Sequence, residues 1–320
     1  MLEKFSAAAL AVALLLSAGT IGAQENYPSK PVRFIVPFSA GSSPDIMTRM
    51  LGKELEVRLG QSMIVEARPG GNSTLGASQV AKSPADGYTV LWAASSATSS
   101  ARAMFKTLTY DPINDFAAIN IYAEAYFTLM VGAEYKGTSL GQFLDQMRKN
   151  PQLNSMGGTG STVEIISKMI DAAAKTKHTH VRYSNTANMV TDTISGRLGV
   201  AIHTFSQSVP LVRSGKAHVL AVSAPVVLRS LPDAPPIAAT LPGVSIGTFN
   251  GYFVPAKTPR PIIGILHKQT SEIFKLPLFV ERIEEAGRII SMSPEEADAY
   301  VRSEEKRWTS LAKMAGIEPE

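Results

Sequence analysis

The 320-residue sequence contains no cysteine, which excludes disulfides, thiol catalysis, thiolate metal sites and a lipid-modified N-terminal cysteine together. It has no basic run: 31 Lys and Arg are interspersed with 27 Asp and Glu for a net charge of +4. No nucleic acid is therefore expected as a partner. Aromatic residues make up only 7%, too few for a base-stacking platform. After the first two dozen residues no apolar stretch approaches the length of a membrane span. Heptads, solenoid periods and low-complexity tails are also missing. So are the G-x-S-x-G elbow, the P-loop and the dinucleotide fingerprint.

What is there begins with a Lys near the start, an apolar run from Ala7 to Leu16, and small residues ending at Ala23. That is the anatomy of a secretory signal peptide over residues 1–23, with cleavage before Gln24; the alternative is an uncleaved anchor. An exported globule of this size without disulfides fits a bacterial periplasm.

Strand-like and helix-like segments then alternate. Residues 32–38 read as a strand, 44–59 as a helix with Ser43 as N-cap, 62–66 as a strand and 73–82 as a small-residue helix. "DGYTVLWAASS" reads as turn, strand and polar loop. The pattern recurs in "FTLMVG", in a helix opening at Thr138 or Ser139, and in "LNSMGGTGST" leading into a helix from Val163 to Ala174. "HVRY", "VAIH" and "AHVLAVS" read as further strands, and "ANMVTDTI" and "SQSVPLVRSG" as helices. Residues 225–261 are rich in Pro and Gly and carry the chain back through "TFNGYFVPAKTP". The last helix has Ser293 as N-cap, Pro294 next and Glu296 three residues on, a capping box. This alternation argues an α/β fold with a mainly parallel sheet.

Three polar, small-residue loops follow strands. In "VPFSAGSSPD" a strand runs through Ser39 to Ser43 into a helix N-terminus, where free N–H groups and the helix dipole favour an anion. An ordinary βα loop without a ligand explains that segment equally well. "GGTGST" at Gly157 to Thr162 stands in the same relation to its helix, and lacks the Lys that nucleotide phosphates need. The third loop is "AASSATSSA" at Ala93 to Ala101. In open α/β sheets ligands sit beyond the carboxyl ends of strands, where all three fall. A carboxylate needs only a few hydroxyl and N–H donors. Ser39, Ser42, Ser43, Thr159, Ser161 and Thr162 supply hydroxyls, while Gly41 and Gly160 let backbone approach closely. His178 and His180 alternate along a strand, but no third ligand is near in sequence, so no metal or other cofactor is expected.

In this order and spacing, "YPSKPVRFIVPFSAGSSPD", "LGQSMIVEARPGGNSTLGASQVAKSPADGYTVLWAASS", "LTYDPINDFAAI", "SGRLGVAIHTFSQSVPLVRSGKAHVLAVSA" and "GYFVPAKTP" resemble the Bug-type periplasmic solute-binding proteins of tripartite tricarboxylate transporters. The resemblance spans essentially the whole chain after the signal peptide. It implies a type II periplasmic-binding-protein fold whose two lobes, 24–124 with 253–320 and 125–252, hinge around a cleft. It implies a non-enzymatic receptor that delivers a small carboxylate to membrane permease subunits. Such a hinge needs no second copy, so a monomer is expected. The alternatives are a ligand-sensing subunit of a signalling system and a periplasmic Ser/His hydrolase.

The residues that the resemblance places at the ligand are Phe38, Ser39, Ala40, Gly41, Ser42, Ser43 and Asp45 in the first loop. The third loop adds Ser95, Ser96 and Thr98, and the facing lobe adds Thr159, Gly160, Ser161 and Thr162. Two departures bear on the ligand. Ser42 replaces the second of two usual glycines. His203, followed by Thr204 and Phe205, stands where many members have an Asp suited to an amino-acid ammonium group. The expectation is that His203 or Thr204 meets a second carboxylate, with Phe205 or Phe249 as an apolar wall. A dicarboxylate follows, with aromatic ones such as terephthalate included.

Overall fold

The computed structural model describes residues 27–150, 153–159, 161–183 and 185–319, so the expected signal peptide lies outside the described residues. The chain begins with β1 (Val32–Val36), α1 (Ser43–Leu59), β2 (Met63–Ala67), α2 (Thr74–Ala81), β3 (Thr89–Ala94), α3 (Ala101–Met104) and β4 (Phe116–Ala125). A second set follows: β5 (Phe127–Gly132), α4 (Leu140–Lys149), β6 (Ser155–Gly158), α5 (Ser161–Ala174), β7 (Thr179–Arg182), α6 (Thr186–Ile194), β8 (Val200–Thr204), α7 (Phe205–Arg213) and β9 (Ala217–Val222). The chain then returns through β10 (Thr248–Pro255), α8 (Arg260–Ile273), α9 (Pro277–Glu284), β11 (Gly287–Ile289) and α10 (Pro294–Met314).

Two sheets result. The first has six strands in the order β11-β4-β10-β3-β1-β2, and the second five in the order β7-β6-β8-β5-β9. The parallel pairing expected from the strand–helix alternation is found for β1 with β2 and β3, and for β6 with β7 and β8. Where the connecting strands enter, pairing is antiparallel: β10 with β3 and β4, β11 with β4, and β5 with β8 and β9. β10 joins the first sheet from Thr248 onward, and its Phe249 and Tyr252 are fully buried there.

Helices cover the sheet faces because each presents an apolar stripe that only packing can remove from water. Leu51 and Leu55 of α1 and Leu266 of α8 close over Phe34, Trp92 and Tyr252. In the second lobe Phe143 of α4 and Ile166 of α5 close over Leu129, Val131 and Ile202. α10 starts with the predicted capping box, Ser293 Oγ accepting from the Glu296 N–H and the Glu296 carboxylate accepting from the Ser293 N–H. Its first turns bury Ala297 and Val301 against the first sheet, while Trp308, Leu311 and Ala312 enter the core of the second.

The lobes are joined at Ala125–Phe127 on the way out and Ile246–Thr248 on the way back. Ser223 ties these strands together. Its hydroxyl accepts from the Phe127 N–H at 2.9 Å and donates to the Ile246 carbonyl at 2.6 Å, and its own N–H donates to the Phe127 carbonyl at 2.8 Å.

This crossing fixes which ends of the sheets face each other. Ala94, ending β3, pairs with Asn250 near the start of β10, and Ala125, ending β4, pairs with Thr248. In the second sheet Thr204, ending β8, pairs with Phe127, the first residue of β5. The carboxyl ends of β1, β2 and β3 and those of β6, β7 and β8 therefore border the same crossing, and the loops after them flank one cleft.

Candidate functional site

The first loop is held from within. The helix opens at Ser43, so the N-cap is Ser42 and not Ser43 as expected, and the Ser42 side chain makes no capping bond. Gly41 takes a φ of +79°, and its N–H donates to Asp45 Oδ2 at 2.9 Å. The Ser42 N–H donates to the Ser39 carbonyl at 3.1 Å. These two N–H groups, expected to face a ligand, are thus already used.

Asp45 is buried and serves the loop: beyond Gly41 it takes the Arg49 guanidinium through Nε and Nη2, each at 3.0 Å. Burial alone would raise its carboxyl pKa. The Arg49 hydrogen bonds, the Gly41 N–H and the Arg49 charge outweigh that and hold it below the ordinary carboxylate range. What the loop leaves unused is the Ser42 hydroxyl, whose oxygen is buried with no partner, beside the exposed residues Ser39, Ala40, Gly41 and Ser43. Phe38 packs its ring edge-on to Trp92, 5.3 Å between centroids.

The third loop splits the expected hydroxyls. Ser95 is fully buried, its Oγ accepting from the Phe249 N–H at 3.3 Å, and Thr98 Oγ1 donates back to the Ala94 carbonyl at 3.1 Å. Both are spent on the loop. Half-buried Ser96 donates to Ser73 Oγ at 3.2 Å. The hydroxyl without a partner is that of Ser99, which sequence reasoning passed over.

Ser73 belongs to a second overlooked segment, the loop after β2. There Gly71, Asn72 and Ser73 have φ of +55°, +48° and +79° in succession. Left-handed backbone at two non-glycine residues is costly and collects at ligand-holding turns. The dipeptide Gly70-Gly71 followed by Asn72 was the available signal.

On the second lobe, Thr159 and Thr162 are half-buried at the end of β6 and the start of α5. Gly160 and the side chain of Ser161 lie outside the described residues. Thr204 is exposed and donates to Gln207 Oε1 at 2.9 Å. His203 is 3% exposed, between β8 and the first turns of α7. Its Nδ1 lies 3.0 Å from Ser208 Oγ, which is 2.7 Å from Thr128 Oγ1, while its Nε2 is buried without a partner. Burial pulls the imidazole pKa down to about 4, offset in part by the Gln207 side chain, so His203 is neutral at pH 7.

The expected apolar wall is not formed by Phe205 or Phe249, which are both fully buried. Phe205 is fully enclosed among Tyr126, Val209, Val222 and Leu228, and Phe249 lies in the first-lobe core against Phe253 and Tyr300. Neither offers a face to the cleft, because a ring of that size on an inward strand or helix position fills the core first.

His178 lies just before β7 and His180 within it, at the edge of the second sheet. His178 Nδ1 meets Asp171 at 2.8 Å, and His180 Nδ1 lies 3.4 Å from Ser167 Oγ. Among the described residues no three His, Asp or Glu side chains are grouped to hold a metal ion.

This geometry has known counterparts. At 27% identity the chain superposes with a TM-score of 0.83 on the Rhodopseudomonas palustris protein Rpa4515, solved with adipate, over 92% of this chain and all of that one. The periplasmic binding protein BugD gives a TM-score of 0.80 at 26% identity, again over 92% of this chain and 100% of that chain. In sequence, a UPF0065 protein of Bordetella bronchiseptica is 30% identical over 309 residues, 96% of this chain and 92% of the relative. The profile described as "Tripartite tricarboxylate transporter family receptor" matches residues 47–317. The chain therefore belongs to the family of tripartite tricarboxylate transporter receptors, with their two-lobed, type II periplasmic-binding-protein fold.

Proposed function

We propose that this receptor works in the periplasm, captures a small dicarboxylate between its lobes and hands it to a membrane permease. The observation that carries the reading is a pair of buried polar atoms without partners on facing edges: Ser42 Oγ on the first lobe and His203 Nε2 on the second. Leaving a buried hydroxyl or ring nitrogen unpaired costs about 1–3 kcal/mol; a ligand oxygen on the Ser42 hydroxyl recovers that cost directly, and one on Nε2 recovers it when the ring takes up a proton as the carboxylate binds. Two such atoms, one per lobe, suit a ligand with an oxygen-bearing group at each end. Adipate, found in the Rhodopseudomonas palustris relative, has that form.

The loop residues Ser39, Ala40, Gly41 and Ser43, with Thr159, Thr162 and Thr204, complete the proposed contacts, and Ser99 joins them. Binding energy stabilises the closed arrangement, and the permease recognises it. Ser208 on His203 Nδ1 is a Ser–His pair, but both are buried and Ser208 also donates to the Thr204 carbonyl at 3.1 Å. That arrangement suits a positioned ring better than a nucleophile.

The test is a thermal-shift screen of purified protein against amino acids and aliphatic and aromatic mono-, di- and tricarboxylates. A ligand specific to the folded state adds about 2.7 kcal/mol at one hundred times its Kd. A shift confined to dicarboxylates, lost in His203→Ala, is expected. A shift with amino acids would sink the role given to His203, and silence from every carboxylate would sink the receptor reading.

A further inference from the structure

The crossing between the lobes contains one side chain that belongs to both. Tyr126 lies between β4 and β5, and its carbonyl accepts the Phe205 N–H at 2.9 Å, at the first residue of α7 and directly after His203 and Thr204. Its ring is buried with Phe205, Val209 and Val222, so the ring belongs to the second lobe. Its hydroxyl turns the other way and donates to Glu124 Oε2 of β4 at 2.5 Å. Glu124 is held in the first lobe by Arg288 of β11, through Nη2 at 2.6 Å and Nε at 2.9 Å, and by Tyr300 of α10 at 3.4 Å.

The return strand is fitted to the same ring. A Cβ on Gly247 would stand 2.8 Å from Tyr126 Cε1, closer than real Cβ contacts allow. Both connections between the lobes therefore run against Tyr126, one through its backbone and one against the Cδ1–Cε1 side of its ring.

We propose that Tyr126 is the positioning residue of the hinge: its ring moves with the site edge of the second lobe, its hydroxyl is fixed to a first-lobe carboxylate, and their bond holds the angle at which the two loop clusters face. A crossing ordered before the ligand arrives leaves less conformational freedom to lose on binding. The arm of the test that measures affinity rests on the carboxylate-receptor reading, and the arm on the free protein does not.

Tyr126→Phe keeps the ring and its packing and removes one O–H. The absence of native cysteine permits spin labels at Val57→Cys on the first lobe and Lys149→Cys on the second, both exposed positions. Pulsed electron resonance then reads the distance between lobes without ligand. We expect Tyr126→Phe to broaden the distribution, and Gly247→Ala, acting on the ring alone, to displace its peak. For the dicarboxylate found by thermal shift, Tyr126→Phe should raise Kd about 3- to 10-fold, as loss of a hydrogen bond to a charged group does in a partly wet setting.

Ligand-free distributions of both variants that superimpose on wild type would overturn the proposal, whatever the affinity. Altered distributions with no ligand found would leave the hinge inference standing and the receptor reading refuted.

Discussion

His203 makes a quantitative prediction about stability against pH. Buried at 3% exposure with its pKa drawn down to about 4 by desolvation, it must charge when the chain unfolds in mild acid. Its unfolded value is about 6.5, so on acidification the unfolded state takes up the proton first, and folding stability falls. Above about pH 6.5 the contribution is whole, and it drains away as pH drops through the folded pKa.

From these two values and RT, the loss is about 2 kcal/mol at pH 5 and about 3 kcal/mol at pH 4 relative to pH 7.5. Carboxylates titrate over the same range, so the measurement is a difference between wild type and His203→Asn, which cannot titrate. Urea unfolding of both proteins at pH 7.5, 5.0 and 4.0 should show the gap between them move in favour of the variant by those amounts. A gap constant with pH would mean that the ring is solvated in the folded state and would refute its burial. A dicarboxylate bound against Nε2 favours the protonated ring, so in its presence the acid loss should shrink.

Other outcomes follow from the same geometry. Ser42→Ala removes a hydroxyl that bonds nothing in the protein, so Tm should stay within about 2 °C while calorimetry shows dicarboxylate affinity falling about tenfold. Asp45→Ala strips Gly41 and Arg49 of their shared acceptor and should cost about 2 kcal/mol in urea unfolding together with affinity. A stable Asp45→Ala protein would show that the loop holds itself. Trp308→Ala should cost about 3–5 kcal/mol because it empties the second-lobe core under α10. Trp308→Phe should cost clearly less, since the indole N–H has no partner to lose.

The alternation of strands and helices was legible because each unit carries its own period and punctuation, as in the Ser139 cap of α4 and the Ser293 box of α10. β4 was not. "FAAINIYAEA" is buried over its first eight residues, so the alternation that marks a half-exposed strand is absent. α8 and α9 each carry a proline in the first turn, Pro261 and Pro277, so after the Pro-rich tract their starts read as further breakers and not as first helical turns. Among the site residues, the loops could be placed from helix-end physics. Which of the third loop's hydroxyls are free depends on Ser73 and Phe249 reaching them from elsewhere, and such pairings carry no local signal. Aromatic residues at Phe205 and Phe249 look alike in sequence whether they line a cleft or fill a core.

The place of β10 has a consequence for how the chain comes to be folded. It lies between β3 and β4 in the first sheet, yet it follows every strand of the second in sequence. As the polypeptide is made or threaded from its N-terminus, residues 32–125 wait with a gap in the middle of their sheet until residue 255 arrives. The strands of the second sheet are continuous in sequence and can pair earlier, although the core beneath them waits for Trp308, Leu311 and Ala312 of α10. Long-range closure of this kind is slow because the intervening loop must be ordered first. We expect the second sheet to pair before the first is complete, which leaves the flanks of β3 and β4 open to mispairing in the interval; pulsed hydrogen exchange during refolding should show β5–β9 protected ahead of β3 and β4.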